Sequence, residues 1–176
     1  MVFDINKKIP LNKGKCDLRR QNHVMKGEIG EIIIKNKIPY LHRTKELKPR
    51  DILDYNFPFG KLPLTIKRFL TKHWHTLDLF RFVSENYKFK NLELYEVKVR
   101  NYYPNLRKEA YIPDITRNEL KVYKTALKLG FVVKSATIWF YDDWRYDITI
   151  KDFNPKDFKI HDGSKSFLNF LKNSSR

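Results

Sequence analysis

The sequence predicts an α/β fold, a central mixed β-sheet flanked by helices. Three observations predict it. A strand-like run, Leu92 to Arg100, carries apolar residues on both of its faces, as an interior strand does. A capped, helix-periodic segment follows it, and two further strand patterns follow that. The order is helix, strand, strand, helix, strand, strand, which suits a sheet covered by helices. At 176 residues and 41% hydrophobic content, the chain is large enough for one domain with its own core.

Residues 1–21 hold Lys7, Lys8, Lys13, Lys15, Arg19 and Arg20 with little apolar patterning, and read as a basic arm that either follows phosphate backbone or is a solvated tail. The remainder, 22–176, is expected to be a single domain. From Asn22 to Asn36, the spacing of Val24, Ile29, Ile32 and Ile33 predicts a helix that Pro39 ends. Gly27 and Gly30 weaken that helix by roughly 1 kcal/mol each relative to alanine, and let its backbone approach a sheet closely. Residues 37–73, broken by Pro39, Pro49, Pro58, Gly60 and Pro63, read as a loop-rich insertion with a short basic helix at Leu64 to Lys72.

His75 to Val83 reads as a strand with Asp78, Phe80 and Phe82 on one face. His73 and His75 flank it and are left outside the candidate site, since His75 and Asp78 fall on opposite faces of a regular strand. Ser84 to Lys88 is turn-like. In the next strand Leu92, Leu94, Glu96 and Lys98 share a face, and Tyr95, Val97 and Val99 share the other. Thr116-Arg-Asn-Glu119 is a capping-box pattern opening a helix through Leu120, Tyr123 and Ala126, with Gly130 as its stop. Phe131–Phe140 and Tyr146–Phe153 are the last strands, and Phe167 to Leu171 suggests a C-terminal helix.

A carboxylate and an ammonium on an interior strand are costly to bury, on the order of several kcal/mol per ion unless paired. A salt bridge between Glu96 and Lys98 is one solution, and a structural protein would need nothing more. A metal ion is the other. Two adjacent strands could set Asp78 beside Glu96, and two close carboxylates repel unless a cation lies between them. A hard divalent ion such as Mg²⁺ or Mn²⁺ takes one or two carboxylates together with water and phosphate oxygens.

Asp78 followed by Glu96-Val97-Lys98 resembles the signature of the PD-(D/E)xK nuclease superfamily, which has the restriction-endonuclease-like fold. Lys26-Gly-Glu28-Ile-Gly-Glu31 resembles that fold's first helix, and Asn118, Glu119 and Tyr123 lie on what resembles the helix after the Glu-x-Lys strand. The proline that usually precedes the aspartate is replaced by Leu77, and the glutamine of the Gln-x-x-x-Tyr pattern by Glu119. The resemblance implies a deoxyribonuclease, an endonuclease or exonuclease that hydrolyses phosphodiester bonds with Mg²⁺ or Mn²⁺. It implies Asp78, Glu96 and the Val97 carbonyl as metal ligands, Lys98 positioning the attacking water, and Glu31 completing the site. Lys26, Arg100, Asn118 and Tyr123 are the expected nucleic-acid contacts.

Charge agrees with such a partner. Lys plus Arg number 36 against 20 Asp plus Glu, a net +16, which favours a polyanionic partner, DNA or RNA ahead of an anionic membrane, with DNA first by the resemblance. No run approaches the roughly 18 apolar residues of a spanning helix, and the single Cys16 permits no internal disulfide. An intracellular protein, cytoplasmic or nucleoid-associated rather than secreted, is expected, and a homodimer is compatible with the pattern. Two alternatives share these features. One is a non-catalytic nucleic-acid-binding protein on the same fold. The other is a metal-independent RNA endonuclease, since Tyr123 to Lys134 loosely resembles a segment of archaeal tRNA-splicing endonucleases. Those use a Tyr-His-Lys set, and no histidine lies between His75 and His161.

Overall fold

The structure, a computed structural model, describes residues 15–48, 50–51, 56–57, 60–86, 88–101, 111–141 and 145–162. Among these, helix α1 (Lys15–Lys37) precedes strand β1 (His42–Arg43), the short pair β2 (Asn56–Phe57) and β3 (Gly60–Lys61), and helix α2 (Leu64–His73). Then come β4 (Leu79–Glu85), β5 (Lys88–Asn101), β6 (Asp114–Thr116), helix α3 (Arg117–Lys128), β7 (Val132–Phe140), β8 (Tyr146–Asp152) and β9 (Lys159–His161). The α/β class and the mixed central sheet are as expected. Its five described strands run in the order β1-β4-β5-β7-β8. β5 lies at the centre, antiparallel to β4 and parallel to β7, with Glu96 opposite Ser135 and Lys98 opposite Thr137.

The two faces of β5 bury into two separate cores, which explains its apolar character on both sides. Leu92 and Leu94 join Phe80, Leu120, Tyr123, Ala126 and Val133 on the side of α2 and α3. Tyr95 joins Leu79, Ile34, Ala136 and Ile138 on the α1 side, with Val97 and Val99 packed against them. Each fully buried leucine here contributes about 1.5–3 kcal/mol.

α3 is built as its sequence predicts. The Thr116 hydroxyl accepts from the Glu119 N–H at 3.1 Å, and the Glu119 carboxylate accepts from the Thr116 N–H at 2.6 Å, a complete capping box. At the other end Gly130 takes φ +78°, while the Gly130 and Phe131 N–H groups donate back to Leu127 and Ala126.

Two expectations about α1 need correction. The boundary of the basic arm at residue 21 falls inside the helix, which begins at Lys15; residues 1–14 lie outside the described ones. The close approach to the sheet belongs to Gly30 alone. A Cβ there would sit 2.2 Å from Val99 Cγ2 and 3.1 Å from Ile138 Cδ1, whereas one at Gly27 would meet nothing within 4 Å. The strand expected from His75 starts only at Leu79, because Trp74–Thr76 form a 3₁₀ turn. The insertion at 37–73 contains β1, β2, β3 and α2 among its described residues. The C-terminal helix expected at Phe167 to Leu171 lies outside them. No described helix is long and apolar enough to cross a membrane.

Candidate active site

Asp78 sits in the two-residue link between the Trp74–Thr76 turn and β4. Buried Trp74 packs edge-on against Phe80, anchoring one end of that link. β1 pins the other: the Thr44 N–H donates to the Asp78 carbonyl at 3.2 Å, and the Thr44 hydroxyl donates to the Leu77 carbonyl at 2.5 Å. Held so, the Asp78 carboxylate accepts the N–H of Val97 at 2.8 Å. This bond carries the side chain across to β5, between Glu96 and Lys98.

Glu96 is 1% exposed, and its Oε1 is engaged by the Lys98 ammonium. Its Oε2 is buried with no hydrogen-bond partner. The Tyr123 hydroxyl from α3 faces the same carboxylate, yet it too is buried without a well-formed hydrogen bond. Unsatisfied buried polar atoms are uncommon and need an explanation.

Electrostatics single out the same residues. Burial and the neighbouring Glu96 carboxylate push the Asp78 carboxyl well above the ordinary aspartate range, with Glu31 adding to the effect. The Val97 N–H and Lys98 oppose that rise without cancelling it. Burial also raises Glu96, although Lys98 works against it. Burial alone would lower Lys98, but Glu96, then Glu119, outweigh it and the ammonium is held more firmly charged. Tyr123 is pushed well above the usual phenol range by burial and by Glu96. The cluster therefore carries more acid than its one lysine balances.

The remaining predicted residues are placed as follows. Glu31, 4% exposed, is gripped by Arg43, whose Nε and Nη2 lie 3.1 and 3.0 Å from Oε2, and by Lys45 at 2.9 Å from Oε1. It belongs to an ionic network that extends through Arg43 to Glu46 and from there to Lys35. The Val97 group tied to Asp78 is its N–H rather than its carbonyl. Lys26 donates to the Asn101 side chain at 3.1 Å, and Asn118 to the Thr76 hydroxyl at 3.3 Å. Arg100 hydrogen-bonds the Tyr111 hydroxyl, lies over its ring, and reaches Asp114 at 3.3 Å. Tyr123 is fully buried, so it faces Glu96 instead of a nucleic acid.

Sequence reasoning missed Arg43 and Lys45 as the partners of Glu31. Their sole signal was a pair of cations at the end of the helix-to-strand link, in a stretch where prolines erase periodicity. No protein-family model, curated protein or solved structure matches this chain. The reading of the site thus rests on its own geometry.

That geometry fits a divalent cation in donor type. Two adjacent carboxylates have raised proton affinity, and one of their oxygens is buried and unpartnered. Among the described residues no three His, Cys, Asp or Glu side chains form a complete metal cage. A hard ion that keeps water and phosphate oxygens needs no more than two carboxylates.

Proposed function

We propose that the protein is a Mg²⁺- or Mn²⁺-dependent nuclease that hydrolyses phosphodiester bonds of DNA, on a restriction-endonuclease-like version of the α/β fold. The observation that carries this reading is the meeting of Asp78, Glu96 and Lys98 where the start of β4 lies against the interior of β5, linked through the Val97 N–H. The order α1, β1, β4, β5, α3, β7 supports it, because the Glu-x-Lys strand lies centrally and is followed by a helix and a parallel strand.

Asp78 and Glu96 would hold the cation, with the Val97 carbonyl as an expected third ligand. Bound there, a divalent ion supplies Lewis acidity at the scissile phosphate and an acidified water. Lys98, kept protonated by Glu96, orients a water by hydrogen bonding and places fixed positive charge where the phosphorane develops negative charge. Thr44 and the Trp74–Thr76 turn hold Asp78 in place before substrate arrives. Glu31, which the resemblance assigns to the metal site, is taken up by Arg43 and Lys45 and reaches the pair through its charge on Asp78. The net charge of +16 suits a polyanionic substrate such as DNA.

A non-catalytic DNA-binding protein is the second reading. The contact between Lys98 and Glu96 favours it, since that ion pair would serve a purely structural role.

The test is cleavage of supercoiled, linear and single-stranded DNA in Mn²⁺, Mg²⁺ or EDTA by the wild type, Glu96→Ala and Lys98→Ala. Cleavage that needs metal and falls at least about a hundredfold in both variants, as loss of transition-state stabilisation demands, supports the proposal. Circular dichroism and DNA binding check that the variants fold. Full activity in both variants overturns it. DNA binding without cleavage on every substrate would favour the second reading.

A further inference from the structure

The exposed face of α3 carries Arg117, Lys121, Lys124 and Lys128 at positions i, i+4, i+7 and i+11, a single stripe along the helix. Val122, Tyr123 and Ala126 face the opposite way, into the core, and buried Leu120 borders the stripe. With Leu120 and Thr125, the four cations line a groove of about 340 Å³. Like charges at this spacing repel, and a cation in the first helical turn opposes the helix dipole. Arg117 is partly offset by Asp162 at 2.9 Å.

The stripe begins beside the candidate active site. Asn118 of the same first turn binds Thr76, two residues before Asp78, and Glu119 lies close enough to affect the charge of both Glu96 and Lys98. From Arg117 to Lys128 the helix rises roughly 16 Å, at about 1.5 Å per residue. No aromatic side chain interrupts the stripe, so it offers positive charge without a surface for base stacking. A backbone whose bases are hidden suits this chemistry; exposed bases would call for aromatic platforms.

We propose that the α3 groove binds the phosphate backbone of duplex DNA and leads it to the Asp78–Glu96–Lys98 site. This rests on the DNA reading above and adds to it the form of the substrate and the surface that holds it.

The experiment measures binding of the full chain to a labelled 20-base-pair duplex by fluorescence anisotropy, in EDTA and over a range of salt concentrations. It compares wild type with a Lys121→Ala/Lys124→Ala/Lys128→Ala variant and with the corresponding triple lysine-to-arginine variant. Each lost phosphate contact should reduce the slope of log K against log salt by about 0.9, and affinity should fall roughly a hundredfold or more at 0.1 M salt. The arginine variant should bind as the wild type does. Unchanged slope and affinity in the alanine variant, with wild-type binding intact, overturns this inference and leaves the nuclease reading standing. Tighter binding of single-stranded DNA through the same lysines overturns the duplex assignment. Failure of the wild type to bind any DNA at low salt overturns the nuclease reading itself.

Discussion

Two charged clusters flank the β4 end of the sheet, and they are solved in opposite ways. Around Glu31, three cations from α1, β1 and the following turn meet two carboxylates: Arg43 and Lys45 satisfy Glu31, while Arg43 and Lys35 satisfy Glu46. Lys35 first, with Arg43, holds Glu46 below the ordinary glutamate range. Around Glu96, two buried carboxylates share one lysine, both have raised pKa values, and Glu96 Oε2 and the Tyr123 hydroxyl face each other without a well-formed hydrogen bond. The first cluster stabilises the fold as it stands. The second costs stability at neutral pH, which is what the proposed cation site requires and a structural ion pair does not.

The largest effect should come from breaking the satisfied cluster. Arg43→Ala leaves Glu31 buried with Lys45 alone, and unfolding in urea should show a loss of about 3 kcal/mol, the low end for a broken buried pair. A loss within error of zero would mean that Glu31 draws its stability from elsewhere.

The unsatisfied cluster should respond in the other direction. Asp78→Asn removes a carboxylate that repels Glu96, so Tm should rise by a few degrees, about what 1 kcal/mol gives a chain of this size, while cleavage is lost. A lower Tm would show that the pair is not in conflict.

The pH dependence follows from the same charges. Because the folded Asp78 has a higher pKa than the unfolded chain, the folded state binds the extra proton. Wild type should therefore gain stability relative to Asp78→Asn as pH falls from above the raised folded value toward the ordinary aspartate range. Mn²⁺ at neutral pH should give a similar gain, read as a rise in Tm that Asp78→Asn lacks.

The smallest effect belongs to Lys35→Ala. Both partners of the Lys35–Glu46 pair are more than a third exposed, so thermal unfolding should change by no more than about 1 kcal/mol. A larger loss would make the outer pair a structural support of the buried one.

Much of this was legible before the structure. The two-faced burial of β5 followed from period-two alternation, and the start and stop of α3 followed from Thr116, Glu119 and Gly130. The nearness of Asp78 and Glu96 was legible because a short turn between two strands leaves few registers, although Asp78 lies just before β4 rather than on it. The extent of α1 was not legible, since Lys15 to Gln21 carries charge without an apolar stripe. Nor were the partners of Glu31: a contact across a loop depends on where that loop folds back, which no local period records. The burial of Tyr123 had a signal in its spacing from Leu120 and Ala126, outweighed in the reading by its resemblance to a motif tyrosine.

Gly30 has a consequence for what substitutions the molecule tolerates. The missing Cβ lets α1 rest on Val99, one residue from Lys98 and on the reverse face of the strand that carries it. Valine is stiff about χ1, so a methyl group at position 30 must force Val99 from its rotamer or move helix or strand. Displacing β5 from behind would tilt Glu96 and Lys98 together. Position 30 is thus tied to the placing of Glu96 and Lys98 although it touches neither, and its tolerance for change should be as narrow as that of the carboxylates themselves.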